Sequence, residues 1–550
     1  MLTTDYVPRN SQPKNDLEKI AYPLVPPQLV EVLEAAGERR TVEQGTVLFE
    51  VGQDSYDFVY LISGTFIVID RTDGHTVVTI SAPNFVGELG MLMGQRTFFA
   101  GVVGEEAEII ILPPGRLQEV IASSPELSDL IVTAFAARRR LILEWGEGRL
   151  TLVGDPKKRG MLRLLEFATR SLVPHRLVDK TVEGWRACFE HEIDVQDADH
   201  LALIGKDEVL VNPTPRDIAK ALGLDLAAKV DETFDVLIVG AGPAGLAASV
   251  YAASEGLHVV TVEDTAIGGQ AGTSSRIENY LGFPRGISGS DLAYLGEVQA
   301  VKFGAKFTVP RRATRLKKNV DSFDITLDDD RQVRARSIVL ANGVQYRRLT
   351  LDRLEQLEGN GVYYAATELE ARFCKNTEVV IVGGGNSAGQ AAMFLSRHAK
   401  HIHLVIRSDD LSATMSSYLS TRIMDDPSIT LWPQCEVCNL EGEERLTGLR
   451  FKNRQTQEVT HINSSALFIM IGAAPNTEWL AGQIDLDEKG FIKTGGDVSL
   501  ETRGYSTSMP GVYAVGDIRS GSVKRVASAV GEGSVVISAV HGYLASLDEE

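Results

Sequence analysis

Between about Leu17 and Ile121, apolar and polar positions alternate in short runs cut by glycines. TVLFEVG, FVYLISG, TFIVID and TVVTI read as strands, with Gly45, Gly52 and Gly64 at turns, and together they predict a small all-β roll. A helical stretch follows from Glu126 to Trp145 and ends near Gly146. Between Arg149 and Asp231 the pattern changes to alternating strand and helix. LTLVG, HRLVD and LALIG are strand-like, and Gly160 to Arg170 is helical. Thr214-Pro215-Arg216-Asp217 reads as a helix start, with Thr as cap, Pro at the first position and Asp three residues after the cap. The order βαβαββα predicts a small thioredoxin-like α/β module.

From Phe234 the chain becomes α/β with an internal repeat. FDVLIVGAGPAGLAASVYAASEGLHVVTVED recurs in outline as TEVVIVGGGNSAGQAAMFLSRHAKHIHLVIRS. The glycine motifs of the two copies begin 143 residues apart, which is too far for a solenoid and suits two nested dinucleotide-binding folds. In the first copy Val236 to Val239 form the strand, Gly240 the tight turn, and Gly242 lets backbone approach a pyrophosphate. Pro243 and Ala244 then open the helix, whose N-terminus faces the anion, and Gly245 lets it pack on the strand. The next strand ends at Glu263, whose carboxylate would accept from ribose hydroxyls.

The second copy, Gly383-Gly384-Gly385-Asn386-Ser387-Ala388, has alanine where the last glycine would stand, as the fingerprint permits. Gly240 and Glu263 are 23 residues apart, and so are Gly383 and Ile406. The ribose-reading acid is therefore replaced by Ile406, with Arg407 directly after it. No carboxylate repels a 2′-phosphate, and a guanidinium is ready to pair with one, so this site is expected to take NADPH.

Composition narrows the setting. The net charge of −19, from 55 basic and 74 acidic side chains, with no basic tract, argues against a nucleic-acid partner. Four cysteines in 550 residues make no disulfide framework. The polar N-terminus carries no apolar signal core, and glycines and Pro243 break the apolar run at Val236–Val250. A soluble, cytoplasmic protein without a metal site or membrane partner is the expectation.

Further segments fit a flavin in the first fold. Gly268-Gly269-Gln270 and the run Ile277-Glu278-Asn279-Tyr280-Leu281-Gly282-Phe283-Pro284 supply backbone and amide donors. GVYAVGDIRSGSVKRVASAVGEG puts Gly516-Asp517 after a strand, with Lys524-Arg525-Val526 leading into a helix. A carboxylate there suits ribityl hydroxyls, and the helix N-terminus suits the charge of a reduced flavin. GAGPAG, GGQ, IENYLGFP, GGGNSA, IGAAPNT and GVYAVGD occur in the order seen in low-molecular-weight thioredoxin reductases, which the chain resembles from Phe234 to about Leu547. The resemblance implies FAD bound by a domain in two pieces, NADPH bound by a domain inserted between them, and a homodimer.

That family carries Cys-x-x-Cys in a segment like GVxYCATCDG. Here the segment reads GVYYAATELE, so Ala365 and Glu368 stand at the dithiol positions and no catalytic residue is assigned. Alanine and glutamate cannot relay electrons to a disulfide as a thiolate does. Cys435 and Cys438 have the right spacing but lie in a strand-like run, where positions i and i+3 face opposite sides. Cys374 reads as a buried structural thiol, and the position in the first glycine motif where single-cysteine relatives carry their thiol is Ala244.

In the N-terminal part, FVGELGMLMGQRTFFAGVV resembles the phosphate-binding cassette of cyclic nucleotide-binding domains. The resemblance gives Glu88 to a ribose hydroxyl and Arg96 to a cyclic phosphate, while Phe98-Phe99 replace the small residues that normally follow the arginine. A roll that has lost its ligand is the competing reading. In the middle module Gly154-Asp155-Pro156-Lys157-Lys158 lies where redox cysteines would be expected, and Cys188 is its only thiol.

The layout expected is a multidomain chain. A β-roll with helices spans 17–148 and a thioredoxin-like module 149–231. A C-terminal α/β part with two nested Rossmann-like folds follows, its FAD domain in two pieces at 232–348 and 473–550 around an NADPH domain at 349–472. The function expected is an NADPH-dependent FAD oxidoreductase that passes electrons to an acceptor, such as a quinone, redox protein or oxygen, without the usual dithiol. The alternatives are a disulfide reductase using a non-standard cysteine, and a redox or nucleotide sensor.

Overall fold

The computed structural model describes residues 15–549 apart from 54, 72–73, 94, 146–149, 157, 183, 189–197, 206–207, 223, 225–231, 275–276, 278, 365, 367, 413, 444, 481 and 500–503. Helices α1 (Asp16–Ala21) and α2 (Pro27–Ala36) precede eight strands. These are β1 (Glu38–Val42), β2 (Val47–Phe49), β3 (Phe58–Leu61), β4 (Thr65–Ile69), β5 (Thr76–Ser81), β6 (Asn84–Val86), β7 (Ala100–Glu105) and β8 (Ala107–Leu112), with α3 (Leu89–Met93) between β6 and β7. They form the predicted roll as two antiparallel sheets, ordered β1-β8-β3-β6 and β2-β7-β4-β5. Helix α4 (Pro114–Ser123) leads to α5 (Pro125–Trp145), close to the predicted helix. Phe135 of α5 packs on Phe58 and Phe85 of the roll. Helix α5 is covered on more than one side, so that even Arg138 and Arg139 are buried.

The next module contains β9 (Leu150–Gly154), α6 (Arg159–Arg170), β10 (His175–Asp179), β11 (His200–Ile204), β12 (Glu208–Val211) and α7 (Pro215–Ala221). The sheet order is β10-β9-β11-β12, with β10 parallel to β9 and β11 antiparallel to both its neighbours. Thr214 and Asp217 form the expected reciprocal cap on α7. Of the second helix expected between Asp179 and His200, a single 3₁₀ turn at Trp185–Cys188 lies among the described residues. Lys157 and the Cys188 side chain lie outside them.

From Thr233 a mainly parallel sheet begins. It holds β13 (Thr233–Val239), β14 (Val259–Val262), β15 (Lys306–Thr308) and an antiparallel meander of β16 (Ala313–Lys318), β17 (Phe323–Leu327) and β18 (Gln332–Leu340). Helices α8 (Pro243–Ser254) and α9 (Gly289–Lys302) join the parallel strands. The order is β15-β14-β13-β18-β17-β16. After β19 (Val344–Tyr346) the chain passes into a second parallel sheet, ordered β20-β27-β21-β22-β23. Its parts are α10 (Leu354–Leu357), β20 (Val362–Tyr363), α11 (Glu368–Phe373), β21 (Glu378–Val382), α12 (Asn386–Leu395), β22 (His401–Val405), α13 (Ser417–Asp425), β23 (Ile429–Trp432) and β27 (Ala466–Ile469). A small antiparallel sheet of β24 (Cys435–Glu441), β25 (Gly448–Asn453) and β26 (Val459–Ile462) intervenes before β27.

The chain returns through β28 (Ala473–Pro475), which pairs antiparallel with β19. β29 (Val512–Ala514) then joins the first sheet beside β18, and α14 (Val526–Glu549) packs across α8. The outgoing and returning strands are tied together by side chains. Asn342 Nδ2 donates to Asn476 O at 2.5 Å, and Asn476 Nδ2 to Asn342 O at 2.7 Å. Among the described residues, no helix is long and apolar enough to cross a membrane, and no group of three or more His, Cys, Asp or Glu could hold a metal ion.

Candidate functional site

The first glycine motif folds as its spacing demands. Gly240 adopts φ +104°, and a Cβ there would meet Ala341 O at 2.5 Å. At Gly245 a Cβ would lie 1.8 Å from Gly240 O, so no side chain fits where α8 crosses the strand end. Gly242 is different: it caps α8 without a side chain, and beside it a Cβ would find only Gly269 Cα at 3.8 Å. The open space faces first-turn N–H groups that no side chain caps, a setting suited to a diphosphate. Gly269 has φ +53°, which turns the GGQ loop against Gly242.

Glu263 sits at the end of β14 as expected. Its Oε2 accepts from Ala241 N at 2.8 Å and its Oε1 from Thr265 N at 3.0 Å. Burial pushes its carboxyl up, and those two N–H groups oppose the shift. The carboxylate therefore also braces the glycine turn, a task the sequence reading did not give it.

The last segment closes on the same place. Gly516 has φ +75°, and a Cβ on it would lie 2.9 Å from Ala244 Cβ. Asp517 is partly buried, which raises its carboxyl, while Lys524 pulls against the rise. Lys524 and Arg525 are exposed just before α14, and Val526 begins the helix. Glu532 was missed. Its Oε2 accepts from Gly516 N at 2.6 Å, and its Oε1 pairs with Arg519 at 2.7 Å, so it fixes the turn that carries Asp517. Gln270 and Asn279 are exposed on their loops.

Arg170, at the end of α6, was missed as well. Its Nη2 donates to Gly269 O at 2.9 Å, Ala266 O at 3.2 Å and Ile267 O at 3.4 Å. The middle module thus holds the loop opposite Gly242. No local pattern could have signalled a contact between groups nearly a hundred residues apart.

The second motif repeats the design. Gly383 has φ +143°, and a Cβ there would lie 2.3 Å from Met470 O. Gly385 caps α12 without a side-chain bond, and Asn386 and Ser387 are exposed in its first turn. Asn386 Oδ1 accepts from Ser416 N at 2.8 Å. Ala388 is fully buried, taking the packing place of Gly245. Ile406 is buried at the strand end, whereas Arg407 is exposed and has no partner among the described residues.

Three free thiols are described, Cys374, Cys435 and Cys438. Cys374 is fully buried, donates from Sγ to Glu370 O at 3.2 Å, and is pushed up to about 12 by burial and by Glu370. On β24, Cys435 is buried and Cys438 exposed, so the pair faces opposite sides as expected. Ala365 and the side chain of Glu368 lie outside the described residues. Their neighbour Tyr364 stacks on Tyr346 at 5.7 Å between centroids. Burial, with the Asp517 charge adding to it, pushes the Tyr346 phenol up to about 12.

In the roll, Glu88 and Arg96 do not converge. Glu88 Oε2 is 2.6 Å from Arg139 Nη2, an ion pair almost sealed from solvent, while Arg96 is exposed. Phe98 and Phe99 are buried.

Residues 234–533 match the family described as pyridine nucleotide-disulphide oxidoreductase, and residues 39–124 match the cyclic nucleotide-binding domain. A thioredoxin reductase of Streptomyces clavuligerus is 35% identical over 57% of this chain and 94% of its own length. One from Mycolicibacterium smegmatis is 33% identical over 57% of this chain and 97% of its own. Among solved structures, thioredoxin reductase from Streptococcus pyogenes superposes with a TM-score of 0.52 at 29% identity, covering 57% of this chain and 99% of that one. The chain belongs to the pyridine nucleotide-disulphide oxidoreductase family, as a thioredoxin reductase-like FAD-dependent NAD(P)H oxidoreductase with a cyclic nucleotide-binding domain on its N-terminal side.

Proposed function

We propose that this enzyme oxidises NADPH and delivers the electrons to an acceptor other than a protein disulfide. FAD, when bound, supplies the chemistry that takes a hydride from NADPH and returns two electrons to an acceptor. The chain's own residues do the rest. Gly242 and the first turn of α8 would receive the FAD diphosphate, opposite Gly269, and Glu263 the adenosine ribose. Asp517 would take the ribityl hydroxyls, and the N-terminus of α14 would face the negative charge that reduction creates. Gly385 and α12 would receive the NADPH diphosphate, and Arg407 its 2′-phosphate.

The observation that carries this reading is the fate of the thiols. The two dithiol positions hold Ala365 and Glu368, Cys374 is buried with its thiolate strongly disfavoured, and Cys435 and Cys438 face apart. A disulfide acceptor needs an accessible thiolate relay, whereas a quinone, a redox protein or oxygen can take electrons directly. By likeness to thioredoxin reductases, the working unit is a homodimer with two nucleotide domains per chain. The middle module, with the sheet order β10-β9-β11-β12 and no thiol at Gly154–Lys158, serves as a thioredoxin-like spacer that reaches the flavin loop through Arg170.

The test compares wild type with a variant lacking all four cysteines. NADPH turnover with menadione is expected to change by less than about twofold, and neither protein should reduce thioredoxin at a useful rate. Thioredoxin reduction by the wild type that disappears in the variant would establish the disulfide reductase alternative.

A further inference from the structure

The roll and α5 line a partly open cavity of about 70 Å³ that neither nucleotide site uses. Its wall is mostly apolar, with Phe49, Val78, Ile80, Phe98, Phe99 and Trp145 among the lining residues. Arg138 of α5 also lines it and is 4% exposed. Burial lowers its pKa to about 10, which still leaves the side chain cationic at neutral pH.

No Asp or Glu among the described residues pairs with this charge. Nε donates to Ala21 O at 2.8 Å, Nη1 to Gly87 O at 2.8 Å and Nη2 to Asn84 Oδ1 at 3.3 Å. The guanidinium rests on the rings of Tyr22 at 4.9 Å and Phe85 at 4.4 Å. A guanidinium has five N–H donors, so these three bonds leave some unspent. A buried charge of this kind calls for a counter-ion.

The other polar groups on the wall are committed. Glu88 is paired with Arg139, which also donates to Gln95 Oε1 at 2.9 Å. The Thr97 hydroxyl donates to Glu50 O and accepts from Gln53 N. Arg96, the residue that the cassette resemblance gives to a cyclic phosphate, is exposed and does not line the cavity. The volume also falls well below the ~300–1,000 Å³ of pockets that enclose drug-sized ligands, so the cavity as it stands suits a ligand smaller than a cyclic nucleotide.

We propose that the cavity binds a small apolar carboxylic acid of about six non-hydrogen atoms, its carboxylate on Arg138 and its tail among Phe49, Phe99 and Trp145. This ligand class satisfies the apolar wall, the uncompensated charge and the size together. The site is independent of the flavin reading, and a failure at either leaves the other standing.

The experiment is calorimetric titration of the full-length protein with butyrate, butyramide and cyclic AMP, with Trp145 fluorescence as a second signal. Butyrate is expected to bind saturably and at least ~10-fold more tightly than its neutral amide, as a charge-assisted hydrogen bond requires, with no saturable heat from cyclic AMP. Val78→Phe, which fills the cavity and leaves Arg138 in place, should abolish butyrate binding while the bound-FAD spectrum is unchanged. Arg138→Gln should do the same, with circular dichroism confirming the fold. No binding of butyrate, equal binding of acid and amide, binding that survives Val78→Phe, or saturable cyclic AMP binding would each overturn the proposal.

Discussion

Arg407 stands exposed one residue past the buried Ile406, which occupies the place where the first fold presents Glu263. If it holds the 2′-phosphate, Arg407→Ala removes one charge-assisted pair, and the KM for NADPH should rise ~10- to 100-fold while that for NADH stays put. Steady-state kinetics with both nucleotides reads the difference directly. Glu297 on α9 makes a second residue-scale case. Burial against α5 raises its carboxyl to about 7, with Arg139 opposing the rise. An acid raised in the folded state adds stability below its unfolded pKa of about 4.3 and loses it as pH climbs through the folded value. Glu297→Gln should therefore raise the melting temperature by several degrees at pH 8 and by much less at pH 5. An equal effect at both pH values would mean the carboxyl is not so shifted. Sequence reading reached Glu263, Arg407 and the glycines because each is fixed by its distance from a strand end. It missed Arg170 and Glu532 because their partners lie on other elements, where no period or spacing points.

Among the elements, α5 has the widest reach. Three consecutive arginines address three parts of the chain. Arg138 holds the roll, Arg139 donates to Leu172 O beside α6, and Arg140 pairs with Asp291 of α9 at 2.9 Å. One turn further along α9, Tyr294 Oη donates to Ala136 O at 3.1 Å. The crossing of α14 over α8 is tighter still. A Cβ at Gly533 would lie 2.2 Å from Ala244 O, so the two helices touch backbone to backbone. Gly533→Val should force them apart and loosen both the Asp517 turn and the α8 N-terminus. The purified variant is expected to lose most of its FAD, measured by absorbance after gel filtration, and full flavin retention would contradict this packing. The strand-glycine-helix units were plain in the sequence since their periodicity is local. The α8–α14 contact was not, because a glycine in GEG reads equally well as a loose turn.

At the scale of the whole molecule, the inserted second fold leaves and returns through the paired strands β19 and β28, locked by the Asn342–Asn476 exchange. The repeat had marked both nucleotide folds, and the roll's alternating strands had marked a β-domain. The joins were harder to read, since several fall on short polar segments that carry no period. In the middle module, Arg170 gives a concrete link to the Gly268-Gly269-Gln270 loop. Arg170→Ala should weaken FAD retention, and Arg170→Lys should restore part of it, because a lysine can reach the same carbonyls as a point charge. Equal FAD loss in both variants would argue for a packing role instead.

The central claim is that electrons leave this enzyme without passing through thiols. Anaerobic titration of the FAD-loaded protein with NADPH tests it most directly, because a dithiol stores a second electron pair beside the flavin. The claim predicts that flavin reduction completes at about one NADPH per FAD, with no thiols newly exposed to a thiol reagent. Consumption of about two NADPH per FAD, with two thiols appearing, would contradict it.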